Sequence, residues 1–143
     1  MDKFVNLVKL SVGSESVESL EAWQATAHER WADGIPRHVT RMWPKRGAEI
    51  LNGGSIYWVI KGAIQCRQRI TGLEEVIGAD GIRRCAIVLE PGLIRTATAL
   101  KRPFQGWRYL KPEDSPADLR GSGQKDDDIP SELAAALAEI GVR

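Results

Sequence analysis

Residues 55–70, SIYWVIKGAIQCRQRI, constrain the fold more than any other stretch of the chain. Apolar and polar residues alternate along it, and a period of two is the pattern of a β-strand with one buried and one solvated face. The stretch therefore predicts one long strand. Its core side would carry Trp58, Ile60, Gly62, Ile64, Cys66 and Ile70, and its solvated side Tyr57, Lys61, Gln65, Arg67 and Arg69.

Further strand-like runs lie on either side of this stretch and predict a sheet. Gly72 interrupts the alternation, which is typical of a β-bulge. The turn residues GADG, residues 78–81, separate two apolar runs, so the strands on either side are predicted to pair as a hairpin. The other predicted strands are residues 4–12, 93–100 and 104–110, which makes about five strands in a mainly antiparallel sheet.

Two segments before residue 55 carry helix signals. Ser14 and Ser16 are suitable caps for a first helix, which Gly34 ends. Pro44 is well placed as the first residue of a short second helix, which closes at residues 52–54. The apolar stripe of the first helix is predicted to consist of Val17, Leu20, Ala27 and Trp31.

The order of these elements predicts a single α+β domain over residues 1–111, with the helices on one face or end of the sheet. A chain of 143 residues buries roughly 68–70% of its unfolded surface, which is enough for a core. Residues 112–129 are rich in Pro, Ser, Gly and Asp and predict a flexible acidic tether. Residues 130–143 predict a short C-terminal helix, docked or frayed, with Leu133, Leu137 and Ile140 on one stripe.

The charges are segregated along the chain although the net charge is only +1. Residues 35–111 contain fourteen Lys and Arg against five Asp and Glu. Both ends are acidic, with three Lys and Arg against six Asp and Glu in residues 1–34 and three against eight in residues 112–143. A basic middle suits an anionic partner such as nucleic acid. The alternative is that the acidic ends pack against the basic middle.

Neither a membrane span nor a secretory leader is indicated by the sequence. No apolar run approaches the roughly 18 residues that a span requires, and the first residues carry charges within their apolar part. We therefore expect a cytoplasmic protein, with a monomer favoured. In a reducing compartment Cys66 and Cys85 are expected to be buried free thiols, out of register with each other.

Two aromatic and basic segments are candidate ligand sites. The loop PRHVTRMWPKR offers cations that can hold phosphates and a tryptophan on which a base can stack. The alternative is core packing of the tryptophan, with Trp31 and Trp58 expected in the core in any case. The strand FQGWRYL presents two aromatic rings on one side. The candidates from these segments are Arg37, His38, Arg41, Trp43, Lys45, Arg46, Trp107 and Tyr109.

Catalytic signals are few. With two His and two Cys there is no metal-ligand spacing, and we find no P-loop, dinucleotide fingerprint or nucleophile elbow, so neither a metal nor a cofactor is expected. His38 has the side-chain type of a general acid or base. The sequence favours a non-catalytic role, with an enzyme as the alternative. Further candidates for catalysis are Cys66, Cys85, Glu49, Glu74, Glu90 and Lys61.

Several segments in fixed order resemble a small bacterial family classed as domain of unknown function 1489. They are RHVTRMWPKR, GGSIYWVIKG, IQCRQRI, DGIRRCAIVLEP and RPFQGWRYLKPEDSPADL, within residues 4–120. This resemblance implies no activity. The architecture is also similar to the PUA-like folds of the ASCH and EVE types, which implies an open barrel with a pocket for a base. Such a pocket would suit Trp43, Tyr57, Lys61, Arg67, Trp107 and Tyr109.

The first hypothesis is a non-catalytic module that binds RNA, modified DNA or a nucleotide-like ligand on a basic, aromatic-lined sheet face. Lys61, Arg67 and Arg69 would form its electrostatic wall. The second hypothesis is a small enzyme acting on a nucleotide or nucleic acid, and the third is a protein interaction module that uses Trp23, Trp31 and the C-terminal helix.

Overall fold

The stretch 55–70 forms two strands instead of the predicted one, because Lys61 and Gly62 turn the chain. Their φ angles are 52° and 82°, the left-handed conformation that a two-residue hairpin turn requires at both positions. Gly62 adopts it without strain, whereas Lys61 is the one non-glycine residue with a positive φ among residues 3–119. The two strands are β3, Ser55–Ile60, and β4, Ala63–Ile77.

A β-bulge explains why the alternation looked unbroken. Trp58 pairs with Cys66 and Val59 with Ile64, so Gln65 is an extra residue in β4. The two-residue turn inverts the side-chain parity and the extra residue restores it. Ile64 therefore lies on the same face as Val59, and the prediction that it shares a face with Trp58 is wrong.

In the computed structural model, which describes residues 3–119, seven strands form one sheet. The predicted α+β class is confirmed, but the predicted count of about five strands is wrong. None of the helices in this part of the chain is long and apolar enough to cross a membrane. The remaining elements are β1 Asn6–Leu10, α1 Val17–Gln24, β2 Arg37–Thr40, α2 Gly47–Leu51, β5 Arg83–Leu89, β6 Ile94–Leu100 and β7 Trp107–Leu110, with 3₁₀ turns at Ala27–Glu29 and Pro112–Asp114.

The strand order is β2-β5-β4-β3-β1-β7, and β6 also pairs with β4. β1 runs parallel to β3, with Leu7 opposite Ile56, and the other strand pairs in the described chain are antiparallel. The first half of β4 pairs with β3 and β6, and its second half pairs with β5 in the predicted hairpin. The predicted bulge is present, because the register shifts between Ile70 and Gly72.

Both faces of β3 are covered, so the predicted solvated side is wrong at this strand. All six residues of β3 are buried. One face joins the main core, in which Leu7, Ile56 and Trp58 pack with residues of α1 and α2. The other face joins a smaller cluster, in which Tyr57 is only 6% exposed and Phe104 packs from the β6–β7 loop. A strand that is buried on both faces cannot present a free basic face.

The helices differ in length from the prediction. The Ser16 side chain caps α1 as predicted, but the helix ends near Gln24 and not at Gly34, since Thr26 turns back and its hydroxyl donates to the Trp23 carbonyl at 2.7 Å. α2 begins at Gly47, not at Pro44, and closes at Asn52 as expected. Trp31 lies beyond α1 and is only partly buried, with the Arg37 guanidinium 4.8 Å from its ring. The prediction of a core position for Trp31 is therefore wrong, and that for Trp58 is confirmed.

Residues 112–119, which begin the predicted tether, are bound to the sheet. The Ala97 amide donates to the Ala117 carbonyl and the Leu119 amide to the Arg95 carbonyl, both at 2.9 Å or less. Asp118 forms a bridge opposite Thr96 and accepts both Nε and Nη2 of Arg67 at 2.8 Å. Residues 120–129 of the predicted tether and the predicted helix at 130–143 lie outside the described residues.

Both thiols are expected to be unreactive in the native protein. Cys66 and Cys85 are free and fully buried, and burial raises the pKa of Cys66 to about 12 and that of Cys85 above its usual value. A thiol that is buried and protonated is a poor nucleophile. An aromatic disulfide reagent should therefore titrate no thiol rapidly in the folded protein and two in denaturant. Rapid native labelling of either cysteine would contradict this packing.

Candidate functional site

A cleft of about 530 Å³ opens between α1, the loop after β1, and β2. Trp58 and Leu89 form its floor, and the loop residues Ser11–Ser14 form one rim. The sequence places these groups together because β1 pairs with β3 in parallel and β2 pairs with β5, leaving α1 to bridge the gap. The cleft is larger than two other concavities of the described chain, which measure about 290 and 400 Å³.

The charged side chains that line the cleft are all basic. They are Lys9, Arg30 and Arg37, and no Asp or Glu lines it among residues 3–119. Arg37 is neutralised, since Asp33 binds it in bidentate fashion and Glu74 at 3.2 Å. Lys9 and Arg30 pair with no carboxylate of the described chain. Burial lowers the pKa of Lys9, because its ammonium is partly removed from water.

An aromatic ring stands at the rim of the cleft. Trp23, on α1, is 58% exposed, which is unusual for so large an apolar side chain. The Arg30 guanidinium lies 4.0 Å from the centre of its ring, a cation–π contact. Together they present an aromatic and positively charged surface in the cleft that Lys9 also lines.

His38 lies in the cleft with an unsatisfied nitrogen. Its Nε2 is buried without a hydrogen-bond partner in the described chain, and its ring meets Trp58 edge-on at 5.9 Å. Burial and then the charge of Lys9 lower the pKa of His38 to about 4. The imidazole is therefore neutral at physiological pH and adds no charge to the cleft.

A buried amide network makes the floor of the cleft rigid. Gln68 is fully buried and accepts the indole N–H of Trp58 at 3.2 Å. Its amide nitrogen donates to the Gln24 side chain at 2.6 Å and to the Glu90 carbonyl at 3.0 Å. Because every one of these groups is satisfied, the indole of Trp58 is fixed in one orientation under the cleft.

The predicted basic loop is divided by the structure. Arg37 and His38 belong to β2 and line the cleft, whereas residues 41–46 dock on β7. The Tyr109 hydroxyl accepts the amides of Lys45 and Arg46 at 2.8 and 3.1 Å. The side chains of Arg41, Lys45 and Arg46 are exposed, and Arg46 pairs with Glu49.

The predicted stacking rings have structural partners. The Trp107 indole donates to the Met42 carbonyl at 2.9 Å, and Trp107 packs edge-on against Tyr109. Trp43 is half-buried against the core, and Arg83 lies 4.3 Å from its ring centre. The contacts of these three rings hold the loop on the sheet.

The predicted basic stripe does not form one surface. Lys61 lies in the hairpin turn, Gln65 forms the bulge and donates to the Ile60 carbonyl, and Arg69 is exposed opposite Ser55 at the far end of β3. Arg67 is held by Asp118 and the Ser55 hydroxyl beside Tyr57, where a second concavity of about 290 Å³ lies.

Three cleft residues were missed as ligand-binding residues by the sequence analysis. Lys9 and Arg30 lie within the acidic first 34 residues, and Trp23 was assigned only to a protein interface. One usable signal existed: Val17 and Leu20 are the buried residues of α1, and helical spacing places Trp23 at the margin of the side that they form.

No group of three or more His, Cys, Asp or Glu side chains among residues 3–119 is placed to hold a metal ion. The cleft offers cations, hydroxyls, an aromatic ring and a neutral imidazole. This set suits the binding of an anion that also carries a flat ring.

Comparison with known proteins gives one match. No curated protein and no solved structure matches the chain. The similarity to PUA-like folds therefore gains no support. A family model described as "Protein of unknown function (DUF1489)" matches residues 7–143, so the match extends beyond residue 120, where the recognised segments end. The chain belongs to this family, DUF1489.

Proposed function

We propose that the protein is a non-catalytic module that binds a small anionic ligand with a flat ring, of the nucleotide class, in the cleft between α1 and β2. The proposal rests on one observation: Lys9 and Arg30 line the same cleft as the exposed ring of Trp23. Neither cation has a carboxylate partner in the described chain. A cytoplasmic location, as expected from the sequence, fits such a ligand.

Each part of the ligand has a matching group in the cleft. Lys9 is partly desolvated, so its attraction to a phosphate is stronger than it would be in water. The outer face of the Trp23–Arg30 pair supports stacking, which every base allows because each has a π-face. The Ser14 hydroxyl, which accepts from that of Ser11 at 2.8 Å, provides a donor at the rim.

This proposal keeps the ligand class predicted from the sequence and moves the site. The sheet face is replaced by the cleft, since Arg67 is occupied by Asp118 and Trp43 is half-buried against the core. RNA and modified DNA stay within the proposal as carriers of the same chemical unit, a base with an attached phosphate.

A Lys9→Gln variant is expected to bind nucleoside monophosphates about tenfold more weakly, the effect of losing one charge-assisted hydrogen bond. Quenching of Trp23 fluorescence measures the affinity, and a Trp23→Leu variant identifies its signal. Lys45→Gln is the matched control, because Lys45 is exposed on the docked loop away from the cleft. If Lys45→Gln weakens binding and Lys9→Gln does not, the site lies on the loop and not in the cleft.

A second candidate is an enzyme acting on a nucleotide, which is favoured by the Nε2 of His38, a buried atom in the cleft without a hydrogen-bond partner in the described chain. A base with a pKa of about 4 is poorly matched to catalysis near neutral pH. Incubation of the protein with nucleotides and analysis of the products separates the two functions. Turnover that disappears in His38→Gln would assign an enzyme, and unchanged nucleotides support the binding module.

A further inference from the structure

A second group of cations lies at the end of the sheet where the β3–β4 hairpin turns. The loop from β6 to β7 crosses this end, because the Lys101 amide donates to the Gly62 carbonyl at 2.9 Å. We call this group the hairpin-end patch; it consists of Lys61, Lys101, Arg102 and Arg108.

Within the part of the chain that the structure describes, the charge of the hairpin-end patch is largely uncompensated. Lys101, Arg102 and Arg108 form no ion pair within residues 3–119. Lys61 has one neighbour, Glu15, whose Oε1 is 4.0 Å from its Nζ, and both side chains are well exposed. Such a pair is weak in water, so it opposes an incoming phosphate only slightly.

The hairpin-end patch also repeats the aromatic arrangement of the cleft. The Arg108 guanidinium lies 5.3 Å from the centre of the Phe104 ring, as Arg30 lies against Trp23. Phe104 packs below on the smaller hydrophobic cluster, which fixes its orientation. Arg108 is paired with Val8, whose side chain belongs to the same smaller cluster. This second guanidinium–ring pair therefore lies on the face of the sheet opposite the cleft, on the other side of the hairpin end.

The loop after β1 joins the hairpin-end patch to the cleft. Ser11, at the cleft rim, donates its amide to the Val59 carbonyl at 2.9 Å, two residues before Lys61. The Lys61–Glu15 contact continues the same rim. A chain of phosphates leaving the cleft over this rim meets Lys61 first, then Lys101 and Arg102.

We infer that the ligand is a single-stranded nucleic acid, with one nucleotide in the cleft and the adjoining phosphates on the hairpin-end patch. This inference rests on the proposed function, which by itself requires only a mononucleotide. A duplex does not fit, because its bases are stacked inside and cannot reach Trp23 without unpairing.

The test compares nucleoside monophosphates with oligouridylate and oligothymidylate of about eight nucleotides. The oligonucleotides should bind more tightly than the monophosphates. A Lys101→Gln/Arg102→Gln variant should weaken oligonucleotide binding about tenfold and leave monophosphate binding unchanged. Between about 50 and 200 mM salt, its log–log salt slope should be shallower by about 1.4, the contribution of two phosphate contacts on a single strand.

Two further variants sharpen the test. Glu15→Gln frees Lys61 and should tighten oligonucleotide binding. Arg69→Gln is the matched control, because Arg69 is an exposed arginine at the opposite end of the β3–β4 pair and should have no effect. Thermal melts of all variants establish that they are folded.

The outcomes separate the two proposals. If oligonucleotides bind no more tightly than monophosphates and Lys101→Gln/Arg102→Gln has no effect, the inference of a single-stranded nucleic acid ligand is overturned. The cleft then remains a mononucleotide site. Monophosphate binding that is indifferent to Lys9→Gln overturns the cleft itself. Oligonucleotide binding that depends on the hairpin-end patch but not on Lys9 overturns the inference that one strand occupies both the cleft and the patch.

Discussion

A Gly54→Ala variant is expected to lose about 3 kcal/mol of its free energy of unfolding, the upper range for overpacking in a core. An added Cβ at Gly54 would overlap the carbonyl oxygen of Val5 and would lie 2.7 Å from that of Ile50. Both obstacles are backbone atoms, which cannot move aside as a side-chain tip can. Gly54 also accepts the Ile70 amide at 3.1 Å, so a shift of its backbone disturbs β4 as well.

Urea unfolding followed by tryptophan fluorescence measures this loss. Gly72→Ala is the matched control, because Gly72 also lies beside a strand partner and neither glycine has a positive φ. A Cβ at Gly72 would lie 3.5 Å from the Val88 side chain, an ordinary contact. The control should change stability by less than about 1 kcal/mol. Equal effects of the two substitutions would show that the close approach at Gly54 is not a constraint.

The stability of the protein is expected to fall as the pH drops from about 6.5 to about 4, because of His38. Burial, together with the nearby Lys9, lowers the pKa of this imidazole to about 4 in the folded state. The unfolded chain, with an ordinary histidine, takes up a proton within that window which the native protein does not accept. The loss of stability is therefore small above pH 6.5 and grows to about 3 kcal/mol at pH 4, because the full difference of about 2.5 pKa units corresponds to about 3.5 kcal/mol at roughly 1.4 kcal/mol per unit.

Urea unfolding at a series of pH values, from about pH 4 to about pH 8, tests this expectation. A His38→Gln variant should show a flatter curve between about pH 4 and 6.5, whereas the parent protein loses stability there. His28→Gln is the matched control, because His28 is exposed, and its curve should follow the parent. A parent curve that is flat over this window would mean that His38 is not buried as described.

Much of the fold could be predicted where neighbouring residues decide it. The Ser16 cap, the turn at residues 78–81 and the bulge before Gly72 all depend on local backbone chemistry. The hairpin at Lys61 and Gly62 was missed because the bulge at Gln65 restored the parity that the turn inverted. β2 was missed because it is four residues long and depends on its pairing with β5, far away in the chain.

The candidate site was harder to predict because its residues come from distant elements. The count of charged residues predicted that residues 35–111 bind an anionic partner. Several arginines there are instead paired with carboxylates, as Arg67 is with Asp118 and Arg83 with Glu75. Lys9 and Arg30 lie in an acidic segment and become significant only when β1 and α1 meet β2. The proposed ligand class was predicted from residue types, whereas the proposed location required the tertiary structure.

The pairing of residues 117–119 with β6 has a consequence for self-association. An uncovered strand edge presents free backbone donors and acceptors to a neighbouring molecule. The Ala117 carbonyl and the Leu119 amide occupy such groups on Ala97 and Arg95. A chain shortened after residue 119 retains this cover, whereas a chain shortened before residue 117 exposes the β6 edge to addition of a strand from a second molecule. The short segment after β7 therefore protects the sheet against edge-to-edge aggregation.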